Sequence, residues 1–522
     1  MIRIINLRAE LSDSEGQIRA RLEKKLGARV NRIKTVRRAV DARRKNDVHY
    51  VLTVDAEVSG EERILKKNIT GVSAVNDAEY IFPAAKPLAE RPVVVGTGPA
   101  GLFCALYLSR AGLAPIVIER GADADARAAA VEKFWSGGEL DERTNVQFGE
   151  GGAGTFSDGK LNTGTRDVRI KAVLEEFVRF GAPEDILVNA KPHIGTDILR
   201  SVVKNMRNEI ISNGGEVRFL TRLVDIEVSE GHITAAVTED DTGRSRIKTD
   251  NIVLAIGHSA RDTLEMLAER GIKMERKPFS VGARIEHRQE FISRAMYGSA
   301  ADKLPPADYK LAVHLPDGRS LYTFCMCPGG YVVAAASEKG GLVTNGMSYS
   351  DRDGENANSA VLVGIAPSDF EGDDPLAGVR FQREIEQRAF RLCGGKAPAQ
   401  TVGSFLGRCA ENKPCDVLPT YRPGVEFTEI DKVLPDFVCK AMREGLLEMD
   451  KRIHGFAADD AVLTVPETRS SSPVTLVRDG NMQLSVQGLY CAGEGGGHAG
   501  GITSSAVDGI KAAEAVANVK GA

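Results

Sequence analysis

The stretch Val93-Val94-Val95-Gly96-Thr97-Gly98-Pro99-Ala100-Gly101, followed after a run of small residues by Ile116-Val117-Ile118-Glu119-Arg120, decides the fold. The continuous apolar run 91–95 reads as a buried strand, and the small residues over 99–111 predict a helix packed closely against it. Residues 115–119 supply a second apolar strand, so the whole is a βαβ unit. Each glycine has a task. Gly96 makes the tight turn, Gly98 lets the backbone approach a pyrophosphate, and Gly101 lets the helix lie close to the strand. Pro99 and Ala100 open the helix, whose free N–H groups and positive dipole end face the phosphates. Glu119 stands eighteen residues after Gly101, with Arg120 beside it, where a carboxylate accepts a ribose hydroxyl. A glycine triplet alone is weak evidence, but here strand, helix and acid all stand at their expected places. The motif predicts a dinucleotide site without separating FAD from NAD, because both carry an adenosine ribose and a pyrophosphate.

Other segments favour FAD. The apolar strand Asn251 to Gly257 ends in a glycine turn that brings Ala255 and Gly257 against the cofactor, although alone it reads equally as a buried parallel strand. Thr221-Arg222-Leu223 precedes it, and the backbone at Leu223 is placed to hold the adenine. The C-terminal run Gly488 to Glu494, then Gly500-Gly501-Ile502 and a small-residue helix over 504–517, discriminates best. FAD is long, so its ribityl and flavin portions need a late segment returning to the first domain. There Gly493 and Glu494 meet ribityl or pyrophosphate-side hydroxyls, and the helix start after Gly501 and Ile502 stabilises negative charge at the flavin N1 and O2 side. In the glycine-rich segment 149–160, Gly151 and Gly152 permit close approach and Thr155 or Ser157 can bond cofactor oxygens; a mobile loop is the alternative.

With 522 residues the chain exceeds one compact core and divides into domains. Hydrophobic content of 42%, charged content of 27% and a net charge of -4 describe an ordinary water-soluble protein. No secretory signal or long apolar run is visible, and eight dispersed cysteines argue for reduced thiols, so the expected compartment is the cytoplasm, with no membrane partner. The fold class expected is α/β: a Rossmann-like FAD-binding domain over 86–275 and 481–522, an inserted α+β substrate or cap domain over 276–480, and a small basic α+β domain over 1–85. Residues 82–91, with two prolines and no periodicity, read as a connection. From Arg19 to Lys45 twelve basic residues face two acidic ones, which admits nucleic acid as a partner through 19–45. Against that, no aromatic is interleaved and no nucleic-acid motif appears; such runs are usually solvated faces.

With these features, FGEGGAGTFSDGKLNTG (148–164), PHIGTD (192–197), KPFSVGARIEH (277–287) and ETRSSSP (467–473) give the chain a resemblance to the bacterial FAD-dependent, or NAD(FAD)-utilizing, dehydrogenase family, flavoproteins of the two-dinucleotide-binding type. The resemblance runs from residue 1 nearly to the end. It implies non-covalent FAD and a redox role, with hydride passing to or from flavin N5 and a small-molecule substrate or electron acceptor as partner. One departure stands out: no second GxGxxG on a strand-to-helix turn is visible, so NAD(P)H enters only as a transient electron donor.

For the chemistry, His498 is the candidate proton donor beside the flavin, against a structural histidine bonding a loop carbonyl. Lys160 can polarise flavin N5 or a substrate oxygen, or be a surface lysine. Arg284 and Arg469 can clamp a carboxylate substrate bidentately, or pair with nearby Glu286 and Glu467. His258, after the strand-end glycine, can touch adenine or pyrophosphate. Cys325 and Cys327 share a strand face as a conceivable redox pair, without CxxC geometry, and no ligands stand at metal spacing.

Overall fold

The computed structural model describes residues 1–518, so the last four residues of the expected 481–522 segment lie outside the described residues. At the N-terminus the strands Val30–Asp41, His49–Val58, Ile2–Ala9 and Val72–Ala74 form a four-stranded sheet in that order, antiparallel at every pair. The helix Glu15–Leu26 is closed by a Ser14 and Gln17 capping box and buries Leu22 and Leu26 against it. The basic run 19–45 begins in this helix and continues into the long strand Val30–Asp41. Its burial pattern leaves both faces largely in contact with solvent, which is why no hydrophobic alternation marks it. Several cations of the basic run are held by partners: Arg21 by Asp13, Arg43 by Asp41, Arg32 by Glu57, and Arg38 by the Asn189 side chain.

The βαβ unit belongs to a five-stranded parallel sheet of order Leu489–Cys491, Ile252–Leu254, Val93–Val95, Ile116–Ile118 and Glu216–Arg218. Every strand is three residues long, and all but the edge strand Glu216–Arg218 are fully buried. The chain steps right from Val93–Val95 to Ile116–Ile118 and later fills the left side, so the glycine turn sits where strand order reverses, at the C-terminal ends of the strands. Helix Pro99–Arg110 covers one face, and the last helix, Ile502–Ala517, lies against it: a Cβ on Gly509 would stand 2.0 Å from the Ala100 carbonyl oxygen. A three-stranded antiparallel sheet over 222–248 adjoins this layer.

Residues between 279 and 467 build a seven-stranded mixed sheet, centred on Asn356–Ile365, Phe279–Arg288 and Val462–Glu467, and backed by the amphipathic helices Ala377–Cys393 and Asp436–Asp450. The short pair Met274–Arg276 and Val474–Leu476 joins the chain's entry to its exit from this unit. Residues 82–91 carry no regular structure, yet they are packed: Phe82 lies 5.3 Å from the Tyr107 ring, and Lys86 N donates to the Ala517 carbonyl.

Candidate functional site

The parallel strands end at one elongated cleft, with about 970 Å³ of empty space counted out to its mouth. Seven separated parts of the chain contribute to its lining. The first βα turn contributes Val95 to Ala100, and the second strand ends in Ile118, Glu119 and Arg120. Thr221 to Leu223 and Ala255 to Ala260 form a further wall; Gly152 to Gly154, Ala492 to Glu494 and Gly500 to Ile502 complete it.

Much of this lining is backbone, and steric limits explain the residue types. Gly96 has φ 102° and no room for a side chain, since a Cβ there would stand 2.4 Å from the Ala255 carbonyl oxygen. A Cβ on Gly101 would stand 1.9 Å from the Gly96 carbonyl oxygen, so Gly101 serves helix packing and does not line the cleft. Gly98 is the N-cap of helix Pro99–Arg110 and meets Gly152 across the cleft; a Cβ on Gly152 would lie 2.8 Å from the Gly98 Cα. The N–H groups at the start of that twelve-residue helix are thus presented to the cleft unobstructed.

Glu119 is 5% exposed and fully engaged. Its Oε2 accepts from Thr97 N at 2.9 Å and Thr97 Oγ1 at 2.7 Å, and its Oε1 from Gly121 N at 2.9 Å and Gly149 N at 3.0 Å. The carboxylate therefore ties the glycine turn to the glycine-rich segment while facing the cleft. Arg120 stacks over the Phe148 ring at 4.3 Å and donates to Asp262. Glu494 Oε2 lies 3.2 Å from His258 Nδ1. The other nitrogen, His258 Nε2, is buried and has no protein partner, as is Glu150 Oε1. A cleft lined largely by backbone, with a helix N-terminus at the glycine turn and an unsatisfied buried donor or acceptor on His258, fits a dinucleotide such as FAD.

Other residues singled out in the sequence stand elsewhere. Thr155 Oγ1 bonds the Glu150 carbonyl, Ser157 Oγ donates to the Gly154 carbonyl at 2.7 Å, and Gly151, Thr155 and Ser157 lie behind the cleft wall. Lys160 Nζ donates to the Met326 carbonyl and so points at the seven-stranded sheet. His498 Nε2 lies 3.0 Å from the Leu476 carbonyl oxygen and does not line the cleft; its neighbours Gly500 and Gly501 do.

Arg284 and Arg469 already hold carboxylates, those of the protein. Arg284, 0% exposed, reaches Glu467 through Nε at 2.9 Å and Nη2 at 3.1 Å, and this partner keeps its guanidinium firmly charged despite burial. Arg469 reaches Glu386 through Nε at 3.0 Å and Nη2 at 2.7 Å. Arg261 grips the same Glu386 at 2.9 and 2.8 Å, and the two guanidiniums hold its carboxyl far below the usual range although burial opposes this. The fork geometry expected for a substrate is thus closed by buried glutamates, and sequence could not reveal the pairing because the partners lie on other elements. The sequence also gave no sign of the Glu386 cluster, which fastens the seven-stranded unit to the cleft wall: Arg469 Nη1 lies 3.1 Å from Ser259 Oγ, and Ser259 lines the cleft. Among the described residues no group of His, Cys, Asp and Glu could hold a metal, and no helix is long and apolar enough to cross a membrane.

The fold and cleft define a dinucleotide-binding protein of the flavoprotein kind. Comparison with known proteins agrees. A family model described as FAD-dependent protein, C-terminal domain-like, matches residues 278–470, and a domain of unknown function matches residues 1–57. A protein of Clostridium beijerinckii, described as uncharacterized, is 47% identical over 526 residues, covering 98% of each chain. The chain belongs to this family of FAD-dependent proteins. Similar solved structures include a flavin-dependent brominase (13% identity, TM-score 0.38, 82% of this chain and 78% of that one) and a flavoprotein/dehydrogenase from Cytophaga hutchinsonii (13%, 0.35, 81% and 76%).

Proposed function

We propose that the protein is an oxidoreductase that holds FAD without a covalent bond and passes hydride to or from a small-molecule substrate. The observation that carries this reading is the single cleft assembled from the glycine turn, the Leu223 and Ala255 to Gly257 segments, and the late Gly493 to Ile502 run. When bound, FAD supplies two-electron redox chemistry at its ring. The chain's own part is to bind and orient. Gly98 and Ala100 present N–H groups to the phosphates, Gly96 makes the turn and Pro99 opens the helix, and Glu119 and Arg120 shape the ribose end. Leu223 borders the adenine. Glu494, steadied by His258 at 3.2 Å, meets hydroxyls of the ribityl chain. The sixteen-residue helix beginning at Ile502 directs its positive end at the ring's N1 and O2 side. Lys277 Nζ donates to the Gly497 carbonyl at 2.8 Å, pinning the loop before that helix to the entry of the cap unit. NADH or NADPH acts only as a transient donor, since the glycine fingerprint between the strand Val93–Val95 and the helix Pro99–Arg110 is given to FAD.

The purified protein should be yellow, and acid release should yield FAD. Anaerobic addition of NADH, NADPH or dithionite, followed by candidate acceptors, reads the redox role. A colourless protein that FAD cannot reconstitute would overturn the site; a bound flavin that no donor reduces and no acceptor reoxidises would overturn the oxidoreductase reading and leave a flavin-binding sensor or scaffold.

A further inference from the structure

The seven-stranded sheet carries a chemical centre that flavin binding does not use. Strand Ser320–Cys327 loses register with Asn356–Ile365: Phe324 stands opposite Ala360 and Cys327 opposite Asn358, so one extra residue is inserted between them. Cys325 occupies this bulge at φ 44°, a left-handed conformation that non-glycine residues rarely adopt. On a regular strand, residues two apart stand roughly 6.6 Å apart, near the upper limit for a disulfide. Here Cys327 Sγ donates to the Cys325 carbonyl oxygen at 3.2 Å, folding the second thiol back on the bulge. Arg284 reaches in from the adjoining strand, with Nη1 2.8 Å from the Cys325 carbonyl oxygen and 4.0 Å from Cys327 Sγ. Lys160 donates to the carbonyl of the residue between them, Met326. Access is unequal. Cys325 is half-buried beside Phe324, which is 40% exposed, whereas Cys327 is 0% exposed.

We propose that Cys325 and Cys327 form an oxidation site for hydroperoxides, in which Cys325 is attacked first and Cys327 resolves it. The Cys325 thiolate takes the terminal oxygen of ROOH, the O–O bond breaks, and the released alkoxide picks up a proton, giving a sulfenic acid and ROH. The Cys327 sulfur then attacks the sulfenic sulfur; an S–S bond forms, the S–O bond breaks, and the thiol proton leaves with the hydroxyl as water. Two thiols and one hydroperoxide become a disulfide, an alcohol and a water. The surroundings favour this order. Hydrogen bonding from Cys327, with the charges of Arg284 and Lys160, lowers the Cys325 thiol, opposed by burial and by Asp158; Cys327 is driven upward and keeps its proton. Glu467 takes the Nε and Nη2 edge of Arg284, leaving Nη1 to the Cys325 carbonyl. The reachable thiol is thus the one favoured as nucleophile, and the deeper one, 0% exposed, is placed to resolve it.

The test uses the reduced full-length holoprotein. One equivalent of hydrogen peroxide is added, remaining thiols are blocked with iodoacetamide, and peptides are mapped by mass. The expected result is loss of alkylation at both Cys325 and Cys327, the peptide being about 2 Da lighter as an internal disulfide, while exposed Cys415 stays alkylated. Without peroxide, alkylation of Cys325 should rise less than about threefold from pH 7 to 9, whereas free glutathione should rise more than about tenfold. Cys327→Ser should stall at a sulfenic acid on Cys325 that dimedone traps. Alkylation of Cys325 and Cys327 as complete as that of Cys415 after peroxide would overturn the proposal, and so would a glutathione-like pH profile. Both of these readouts use the unmodified protein, so they decide the matter even where the Cys327→Ser chain fails to fold.

Discussion

Replacing Glu386 by Gln tests the buried charge cluster that joins the seven-stranded unit to the cleft wall. Glu386 is 0% exposed and accepts five hydrogen bonds: two from Arg261 at 2.9 and 2.8 Å, two from Arg469 at 3.0 and 2.7 Å, and one from Thr468 Oγ1 at 2.8 Å. Gln keeps the volume but removes the charge and turns an amide N–H₂ toward guanidinium donors. Two buried cations then share less compensation, and breaking such a pair from one side costs about 3–5 kcal/mol. Unfolding entropy is about 2.1 cal/mol/K per residue, so a cooperative unit of roughly 430 residues should lose about 3–5 °C in Tm. Glu338 gives the contrast. It is 28% exposed and also meets Arg261 and Arg383, so its loss should cost no more than about 1 kcal/mol once solvent screening is counted. The Glu386 carboxyl is depressed in the folded state, so its stabilisation is present above the unfolded value near pH 4.3 and fades as pH falls further. The gap between Glu386→Gln and the unaltered protein should therefore hold from pH 8 to 5 and close only in stronger acid. Thermal melts followed by tyrosine and tryptophan emission measure it. A Tm change under about 1 °C at pH 7, or equal losses from Glu386→Gln and Glu338→Gln, would refute the reasoning.

Three further outcomes follow from the same contacts. Gly152→Val sets a side chain 2.8 Å from the Gly98 Cα, across the narrowest part of the cleft, and should abolish flavin retention after gel filtration while the far-ultraviolet dichroism stays unchanged. Glu494→Gln removes the charge that His258 faces at 3.2 Å, and should weaken FAD binding by about 10-fold in fluorescence titrations, in proportion to the loss of one charged hydrogen bond. His287 is 2% exposed, bonds the Phe456 carbonyl at 2.8 Å, and is pushed down to about 4 by burial. Its folded value lies below its unfolded one near 6.5, so stability is full above pH 6.5 and lost as pH falls to 4, by up to about 3 kcal/mol. His287→Gln should flatten urea stability over that window.

The cofactor domain was readable because its signals are local. Val93–Val95 and Ile116–Ile118 are apolar runs, and the glycines between them answer to contacts a few residues away, such as Gly101 against the Gly96 carbonyl. The cap's central strands, with nearly every residue of Asn356–Ile365 and Phe279–Arg288 buried, are less distinctive, since a strand buried on both faces shows no alternation. Val30–Asp41 escaped for the opposite reason, being wet on both faces. At the site, residue type showed what Arg284 and Arg469 could grip but not what they do grip. Glu467 is 183 positions from Arg284 and Glu386 is 83 from Arg469. Lys160 likewise looked available because Met326 lies 166 positions away.

These long-range contacts converge on one short strap. Gly154 lines the cleft, and its carbonyl receives Ser157 Oγ; Lys160 holds the Met326 carbonyl in the cysteine bulge; Leu161 offers its carbonyl to Thr503 Oγ1 at 2.8 Å. Thr503 is the second residue of the helix whose start closes the cleft. In eight residues the strap therefore touches the cleft wall, the cap sheet and the final helix. A disulfide across the bulge would shift the Met326 carbonyl and with it the anchor of Lys160, and the displacement has a bonded route to the cleft through Leu161 and Thr503. The residues proposed as polar ligands in this strap thus matter through position: Thr155, Ser157 and Lys160 spend their polar atoms on carbonyls of the chain, which fixes where Gly152, Ala153 and Gly154 expose backbone to the cleft.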